Sequence, residues 1–468
     1  MDHSFDLHQR FQRGLGTELS PNWRDLAKAD SQEVPDTLAQ ESSPNLGTAR
    51  IPVERYTSYE YHREEVKKIW LRTWQVVCRE EEIPEAGDHF VYEVAGLSFL
   101  IVRQQDGGFK GYWNVCLHRG RKLCDQHGKG ATKFRCKYHA WTWNTDGKLA
   151  FYPGAWDFPD VQPEDFSMRE VQIGTWGGFI FINPDLQAPS LASHLGSMPS
   201  HFERCPLDKR FSIWHVQKTI KANWKVAMEA FLESYHVVQT HPQALPSTGE
   251  HATQYDIFEE GNAHFSRLIT PQAVPSQHNR TPDAKEAVAV SWALLAGLRA
   301  DQVDALPDHI QDRASLAAWR RESLGALTGA DYSKLSDAEM LDSIQYWVFP
   351  NFCPWYGEGL PLTYQFRPNI DSPDECFMDV WMLVRQPDSA PRPPAAPIVH
   401  LRHDEPFQSR PELGAMGEIF DQDDINMPQV QVGLKTWPAD PEGLTLARYQ
   451  ESRIRYFHQV LTKRLAQP

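Results

Sequence analysis

The sequence predicts an α+β protein in which a small all-β domain stands ahead of a larger domain of antiparallel sheet and helices. Three observations carry this. Between about residues 74 and 185, short apolar runs alternate and are broken by glycine turns. Beyond about residue 200, helical and strand patterns are interspersed. The Cys and His residues with chemically useful spacing fall into two sets, one in each region. The chain divides as an N-terminal arm over 1–54, a first domain over 55–185 and a second over 186–468.

Taken in order, the arm is polar and interrupted by Pro, Ser and Gly (SQEVPDTLAQESSPNLGTARIP), the pattern of a segment that packs on the second domain or stays partly disordered, with one short helix. YEYHREEVKKIWLRTW, Tyr59 to Trp74, has helical spacing. HFVYEVAGLSFLIVR alternates on both sides of Ala95-Gly96 and predicts a hairpin. GGFIFINPD, Gly177 to Asp185, reads as a buried closing strand. KANWKVAMEAFLESYHVVQTH predicts a helix ending at Pro242. Residues 284 to 345 are largely helical, with a capping box at Ser336 and Glu339. PLTYQFRP alternates Leu362, Tyr364 and Phe366 with Thr363, Gln365 and Arg367, a half-buried strand, and CFMDVWMLV follows as its sheet neighbour. PDSAPRPPAAP (387–397) is a Pro-rich surface link. Ile454, Phe457, Leu461 and Leu465 mark a terminal amphipathic helix.

Bulk properties narrow the functional classes. At 468 residues the chain can bury sizeable cores, and its composition is ordinary apart from 16 Trp. A net charge of −15 disfavours nucleic acid as a partner. No apolar run reaches the roughly 18 to 20 residues of a membrane span, and MDHSFDLHQRFQRG lacks the apolar stretch of a secretory signal. Seven Cys, an odd number scattered along a long chain, do not suggest a disulfide framework. A cytoplasmic protein is expected.

The first chemical set is Cys116, His118, Cys136 and His139, spaced C-x-H-x17-C-x2-H. Two thiolates and two imidazoles on two loops can hold tetrahedral zinc or a [2Fe–2S] cluster with Cys on one iron and His on the other. Zinc fingers usually pair Cys with Cys and His with His along the chain. Here each loop brings one of each, which suits a Rieske cluster. Cys124 and His127 fall outside the ligand spacing and read as loop residues.

The second set begins with His236 and His241, with Glu229 and Glu233 upstream. Two His and a carboxylate from elsewhere would form the facial triad of non-haem Fe(II) oxygenases. On a regular helix residues five apart point about 140° from each other. Because His241 precedes Pro242, the helix is expected to loosen there and let the second imidazole swing in. Glu233, three residues before His236, can accept that ligand's free ring N–H. FDQDDINMPQVQVGL offers Asp421, Asp423 and Asp424 for the third ligand.

Together these stretches resemble the Rieske non-haem iron oxygenases, the aromatic ring-hydroxylating dioxygenase large (alpha) subunits. The likeness extends to Arg119-Gly120 after the first His and to Tyr138 and Trp141 around the second. It covers about residues 55 to 465, with 250 to 340 only weakly matched. The resemblance implies a Rieske iron–sulfur domain followed by a helix-grip catalytic domain. It implies His236, His241 and, from the order aromatic–acid–spacer–Asp–Asp, Asp424 rather than Asp423 as ligands of mononuclear Fe(II). It makes Glu233 a bridge from a cluster His of a neighbouring subunit, giving an electron route His139 to Glu233 to His236. Glu233 and Asn223 are the catalytic residues so implied, with Trp224 and Lys225 also matching as positioning residues. Most aromatic-ring members have Asp where this chain has Glu233; Glu is also found in branches acting on quaternary amines. The implied activity is cis-dihydroxylation of an aromatic or other cyclic apolar substrate with O2, or else monooxygenation or demethylation, including of a quaternary amine. The implied assembly is a homotrimer, or a trimer with a beta subunit. No dinucleotide-binding glycine motif or plant-type ferredoxin Cys series is present, so NAD(P)H should act only through a separate reductase and possibly a ferredoxin. Tyr346 to Gly357 (YWVFPNFCPWYG) is expected to contribute to the substrate pocket, where its aromatics could hold a ring or cage a cation, or to sheet core.

Overall fold

The computed structural model describes residues 22–298, 303–387, 389–438 and 443–467. The predicted arm therefore lies partly outside the described residues, and its remainder carries two short helices, Trp23–Ala29 and Asp36–Ala39. Both lie on the second domain. Trp23 Nε1 donates to Asp342 at 3.0 Å, and Arg267 holds the Thr37 and Gln40 carbonyls at 2.6 and 2.8 Å.

The first domain opens with the expected helix, α-helical over Tyr59–Glu65 and π-helical over Val66–Trp70, and is otherwise built mainly of strands. Its strands are β1 (Gln75–Arg79), β2 (His89–Val94), β3 (Leu97–Arg103), β4 (Phe109–Trp113), β5 (Lys133–Arg135), β6 (Thr142–Asn144), β7 (Leu149–Phe151), β8 (Glu170–Trp176) and β9 (Phe179–Asn183). Six form an antiparallel sheet in the order β1-β9-β8-β4-β3-β2, and β5-β6-β7 form a second. The hairpin between β2 and β3 turns at Ala95 and Gly96, both left-handed at φ 49° and 77°. Such a turn matches the twist of its strands. The Ala95 N–H donates to the Pro368 carbonyl at 2.9 Å, which fixes the alanine in this less favoured conformation.

The second domain is organised around one eight-stranded sheet, β11-β12-β13-β14-β15-β16-β10-β17. Its members are β10 (Arg210–Ile220), β11 (Gln254–Glu260), β12 (Ala263–Thr270), β13 (Ser343–Val348), β14 (Phe352–Tyr356), β15 (Leu362–Pro368), β16 (Cys376–Arg385) and β17 (Ile398–Leu401). Only β17 pairs in parallel, against β10. Helices α1 (Ala284–Leu295), α2 (Arg313–Thr328) and α3 (Asp337–Leu341) fill the helical region, and Ser336 and Glu339 form the expected capping box. Two long helices, α4 (Ala415–Lys435) and α5 (Ser452–Leu465), close the sheet's other face. The side chains of Tyr346 to Gly357 are buried throughout.

Two expectations are corrected. β15 is buried on both faces, not one. Leu362, Tyr364 and Phe366 face the helical side, where the Phe231 ring lies 4.9 Å from Tyr364 and 5.4 Å from Phe366. The opposite face is covered by the first domain: Gln365 donates to the Val76 carbonyl, and Arg367 Nε to Glu93 O at 2.8 Å. The long helix expected up to Pro242 is instead two short helices, Trp224–Glu229 and Val237–Thr240. Between them the side chain of Glu233 accepts the His236 N–H at 3.0 Å, and Tyr255 Oη accepts the Ser234 N–H at 3.1 Å. Those bonds supply backbone partners that a continuous helix would otherwise provide.

Candidate metal centres

The loop from β4 to β5 carries Cys116 and His118, and the loop from β5 to β6 carries Cys136 and His139. The two loops fold alike. Cys116 N donates to Arg121 O and Gly120 N to Cys116 O; Cys136 N donates to Trp141 O and Ala140 N to Cys136 O. In each, the fourth residue after the Cys is left-handed, Gly120 at φ 74° and Ala140 at 59°. Both thiols are 2% exposed, whereas both imidazoles are half-buried. The His118 and His139 rings meet edge to face at 4.7 Å. Their Nδ1 atoms are buried with no hydrogen-bond partner, so each points to a place a ligand atom must fill. Burial raises the Cys116 thiol, against which the His118 and Arg119 N–H groups act. Burial and the neighbouring His139 lower His118. Trp141 stacks on His118 at 5.1 Å, and Tyr138 lies over His139 at 3.7 Å. Thiols inside and imidazoles outside make a two-ended donor set, which fits two irons better than one tetrahedral zinc.

The second centre assembles across the chain. His236, His241 and Asp423 place one donor atom each within 4.8 Å of one another, the sole such group of three among the described residues. His241 Nε2 is 3.0 Å and His236 Nε2 3.6 Å from Asp423 Oδ1. The other ring nitrogens are held from behind: His236 Nδ1 by Glu233 Oε1 and His241 Nδ1 by Gln422 Oε1, both at 2.7 Å. These partners direct both Nε2 atoms toward Asp423. Burial lowers the His236 pKa, but Glu233 and Asp423 outweigh it and hold it up to about 9. An electron-rich pair of imidazoles and a carboxylate is a donor set for a hard-to-borderline divalent cation.

The third carboxylate is Asp423 and not Asp424. Asp424 forms an ion pair with buried Lys218 at 3.0 Å. Asp421 accepts the Phe407 and Gln408 N–H groups at 2.6 and 3.1 Å, and Lys218 lies 5.4 Å over the Phe407 ring. Residues three apart share a helix face, so Asp421 and Asp424 turn together toward β10 and the 405–408 segment. Asp423 is thereby left facing the imidazoles, with Gln422 beside His241. Asn223 is engaged in local structure. It caps the helix Trp224–Glu229, its Oδ1 accepting from Lys225 N and its Nδ2 donating to Tyr56 O, both at 3.0 Å. Lys225 is fully buried against Glu65 at 2.7 Å. Gln422 escaped sequence reasoning: an amide between two acids gives no signal until His241 is seen beside it.

A small β domain with a two-thiol, two-imidazole site, followed by a sheet-and-helix domain holding a two-His, one-carboxylate site, defines a two-centre iron protein of the Rieske type. Comparison with known families agrees: residues 73–160 match the Rieske [2Fe-2S] domain, and residues 201–467 match the ring hydroxylating alpha subunit (catalytic domain). The chain belongs to the ring-hydroxylating alpha subunit family. It is 32% identical over 227 residues to biphenyl 2,3-dioxygenase subunit alpha of Rhodococcus jostii, covering 47% of this chain and 46% of that protein. It is 32% identical over 199 residues to the carnitine monooxygenase oxygenase subunit of Acinetobacter pittii, covering 41% and 52%. The matched region thus spans about half the length of these curated relatives. In fold it resembles a naphthalene 1,2-dioxygenase variant crystallised with phenanthrene (TM-score 0.62, 18% identity, covering 91% of this chain and 94% of that one). It also resembles a quaternary ammonium Rieske monooxygenase with L-carnitine (TM-score 0.61, 17% identity, covering 91% and 99%).

Proposed function

We propose that this chain is a terminal oxygenase that hydroxylates an aromatic or other cyclic apolar substrate, by cis-dihydroxylation, using O2 and electrons from a separate reductase. The observation that carries this is the convergence of His236, His241 and Asp423, with Glu233 behind His236, in the same chain as the Cys116–His118–Cys136–His139 site. When bound, the cluster supplies single electrons and the mononuclear iron supplies the site for O2. The residues do the rest. Glu233 and Gln422 hold the Nδ1–H of each ligand imidazole, which fixes the tautomers. Phe231, Tyr364, Phe366 and Phe420 form one ring cluster, Tyr364 and Phe420 with ring centroids 6.2 Å apart, and Tyr364 lies close enough to Asp423 to feel its charge.

A second reading is monooxygenation of a quaternary amine. Glu233, where most aromatic-ring members have Asp, favours it, and the same aromatic rings suit a cation. The assembly we propose is a homotrimer, or a trimer with a beta subunit, joined head to tail. His139 of one copy would then reach Glu233 and His236 of the next. Exposed Tyr138 beside the cluster and exposed Tyr235 beside His236 support such a junction. No helix among the described residues is long and apolar enough to cross a membrane, and all seven cysteines are free, which supports a cytoplasmic setting.

The test is product analysis with labelled O2 in the presence of a reductase and a panel of aromatic and quaternary-ammonium compounds. Two labelled atoms in product support dihydroxylation; one supports the second reading. Activity that survives His236→Ala would overturn both. Glu233→Gln should keep iron, sulfide and the visible spectrum while lowering turnover by about a hundredfold.

A further inference from the structure

Four arginines are less than 2% exposed: Arg79, Arg210, Arg267 and Arg453. Three lie against a carboxylate, Arg79 on Glu81 at 3.0 Å, Arg210 on Glu358 at 2.7 Å and Arg267 on Asp256 at 2.6 Å. Arg453, on α5, has no carboxylate partner among the described residues. Its Nε donates to Ser266 Oγ at 3.0 Å, and its Nη1 to Gln345 Oε1 at 3.0 Å and to the Leu232 carbonyl at 3.2 Å. Its Nη2 is buried without a partner. Burial lowers the guanidinium pKa to about 10, which still leaves it charged at neutral pH. A buried cation whose partners are all neutral, with one amino group left over, is costly unless an anion completes it.

Its location says which anion. Gln345 pairs across the sheet with Trp355, and Cys353 with Tyr364. Strand alternation puts Ser266, Gln345, Cys353, Trp355 and Tyr364 on one face, beneath the broken helix that carries the imidazoles. The Trp355 Nε1–H on that face is also buried and unpartnered, and its ring lies 5.8 Å from Tyr364. Tyr364 in turn lies close enough to Asp423 to feel its charge. The Leu232 carbonyl that Arg453 holds comes one residue before Glu233. Two unpaired donors therefore lie on the sheet face that runs beneath the metal-bearing segment, Arg453 tied to that segment through Leu232. The cluster site shows the same mark of a missing ligand, the unpartnered Nδ1 atoms of His118 and His139.

We propose that Arg453 recognises a carboxylate on the substrate, with Trp355 Nε1 as second donor, so that the substrate is an organic acid whose opposite end meets His236, His241 and Asp423. This rests on the oxygenase reading above and narrows its substrate class. A carboxylate against a guanidinium and an indole N–H makes short, charge-assisted hydrogen bonds. The acid could be aromatic or a betaine.

The test uses two matched pairs, benzoate against benzamide and glycine betaine against choline, titrated calorimetrically into anaerobic, iron-loaded holoenzyme. Within at least one pair the acid should bind about tenfold or more tighter, and the pair that responds separates ring acid from betaine. Arg453→Met should erase the preference and Arg453→Lys retain part of it. Equal or absent binding of the acids and their carboxylate-free partners in the wild-type enzyme would overturn the proposal, and that comparison needs no variant to fold. A brace without a recognition role would appear as lost thermal stability in Arg453→Met with the wild-type preference unchanged, which also overturns it. Because binding is read without turnover, carboxylate binding with no O2-derived product would strike the oxygenase reading and leave this role for Arg453 intact.

Discussion

Asp423→Ala removes one of three donors that meet within 4.8 Å, whereas Asp424→Ala removes the partner of a buried lysine. The two changes should part cleanly. Asp423→Ala should reduce iron from about three to about two per chain, with sulfide and the cluster's visible spectrum unchanged. Asp424→Ala should keep the iron and lose about 3 kcal/mol of stability, because it strands the Lys218 ammonium. Iron assay and thermal melting on the same preparations check both. At this scale the sequence was legible where spacing decides which side chains are neighbours: His118 meets His139, and His236 lies beside His241 with Glu233 behind it. It was not legible at the adjacent aspartates. Which of them faces the imidazoles depends on Lys218 and Phe407, and neither is near them in sequence.

Secondary-structure elements show the same division. The β2–β3 hairpin, the Ser336 capping box and the terminal helix follow from patterns within a dozen residues, and all appear. The helix before Pro242 was misread because Tyr255 and the side chain of Glu233 capture backbone N–H groups within it. The strand Leu362–Pro368 alternated as a half-buried strand should, yet its polar face is covered by another domain, which no local pattern reports. The two cluster loops allow an element-level prediction. Gly120 and Ala140 occupy equivalent left-handed positions, and only the alanine bears a Cβ there. Ala140→Gly should leave the melting temperature unchanged or raise stability by up to about 1 kcal/mol, where the same change at an ordinary position would lower it. Thermal melts of the cluster-loaded protein decide this.

Across the whole molecule the two domains are joined through buried charge. His215 on β10 is held between Glu82 of the first domain and Asp379 of β16, both at 3.0 Å. Burial lowers its pKa, but the two carboxylates outweigh that and hold it at about 9. A folded-state pKa above the unfolded value of about 6.5 gives stability that is complete below pH 6.5 and lost as pH rises through 9. The contribution is roughly 3 kcal/mol in the acid plateau. Denaturant melts should therefore weaken between pH 7 and pH 9, and His215→Gln should flatten that slope while lowering stability at pH 6. A pH-independent wild-type enzyme over this range would count against the triad.

The doubly covered strand β15 bears on how such proteins can be recombined. Its outward residues Gln365 and Arg367 are bound to carbonyls of Val76 and Glu93, and the Ala95 turn is bound to the carbonyl of Pro368. Each half of the chain thus finishes the other's hydrogen-bonding surface. A chimera joining this chain's first domain to a relative's second would inherit mismatched seams along an entire strand. Exchange of specificity between relatives is easier by grafting the residues under the broken helix than by swapping whole modules.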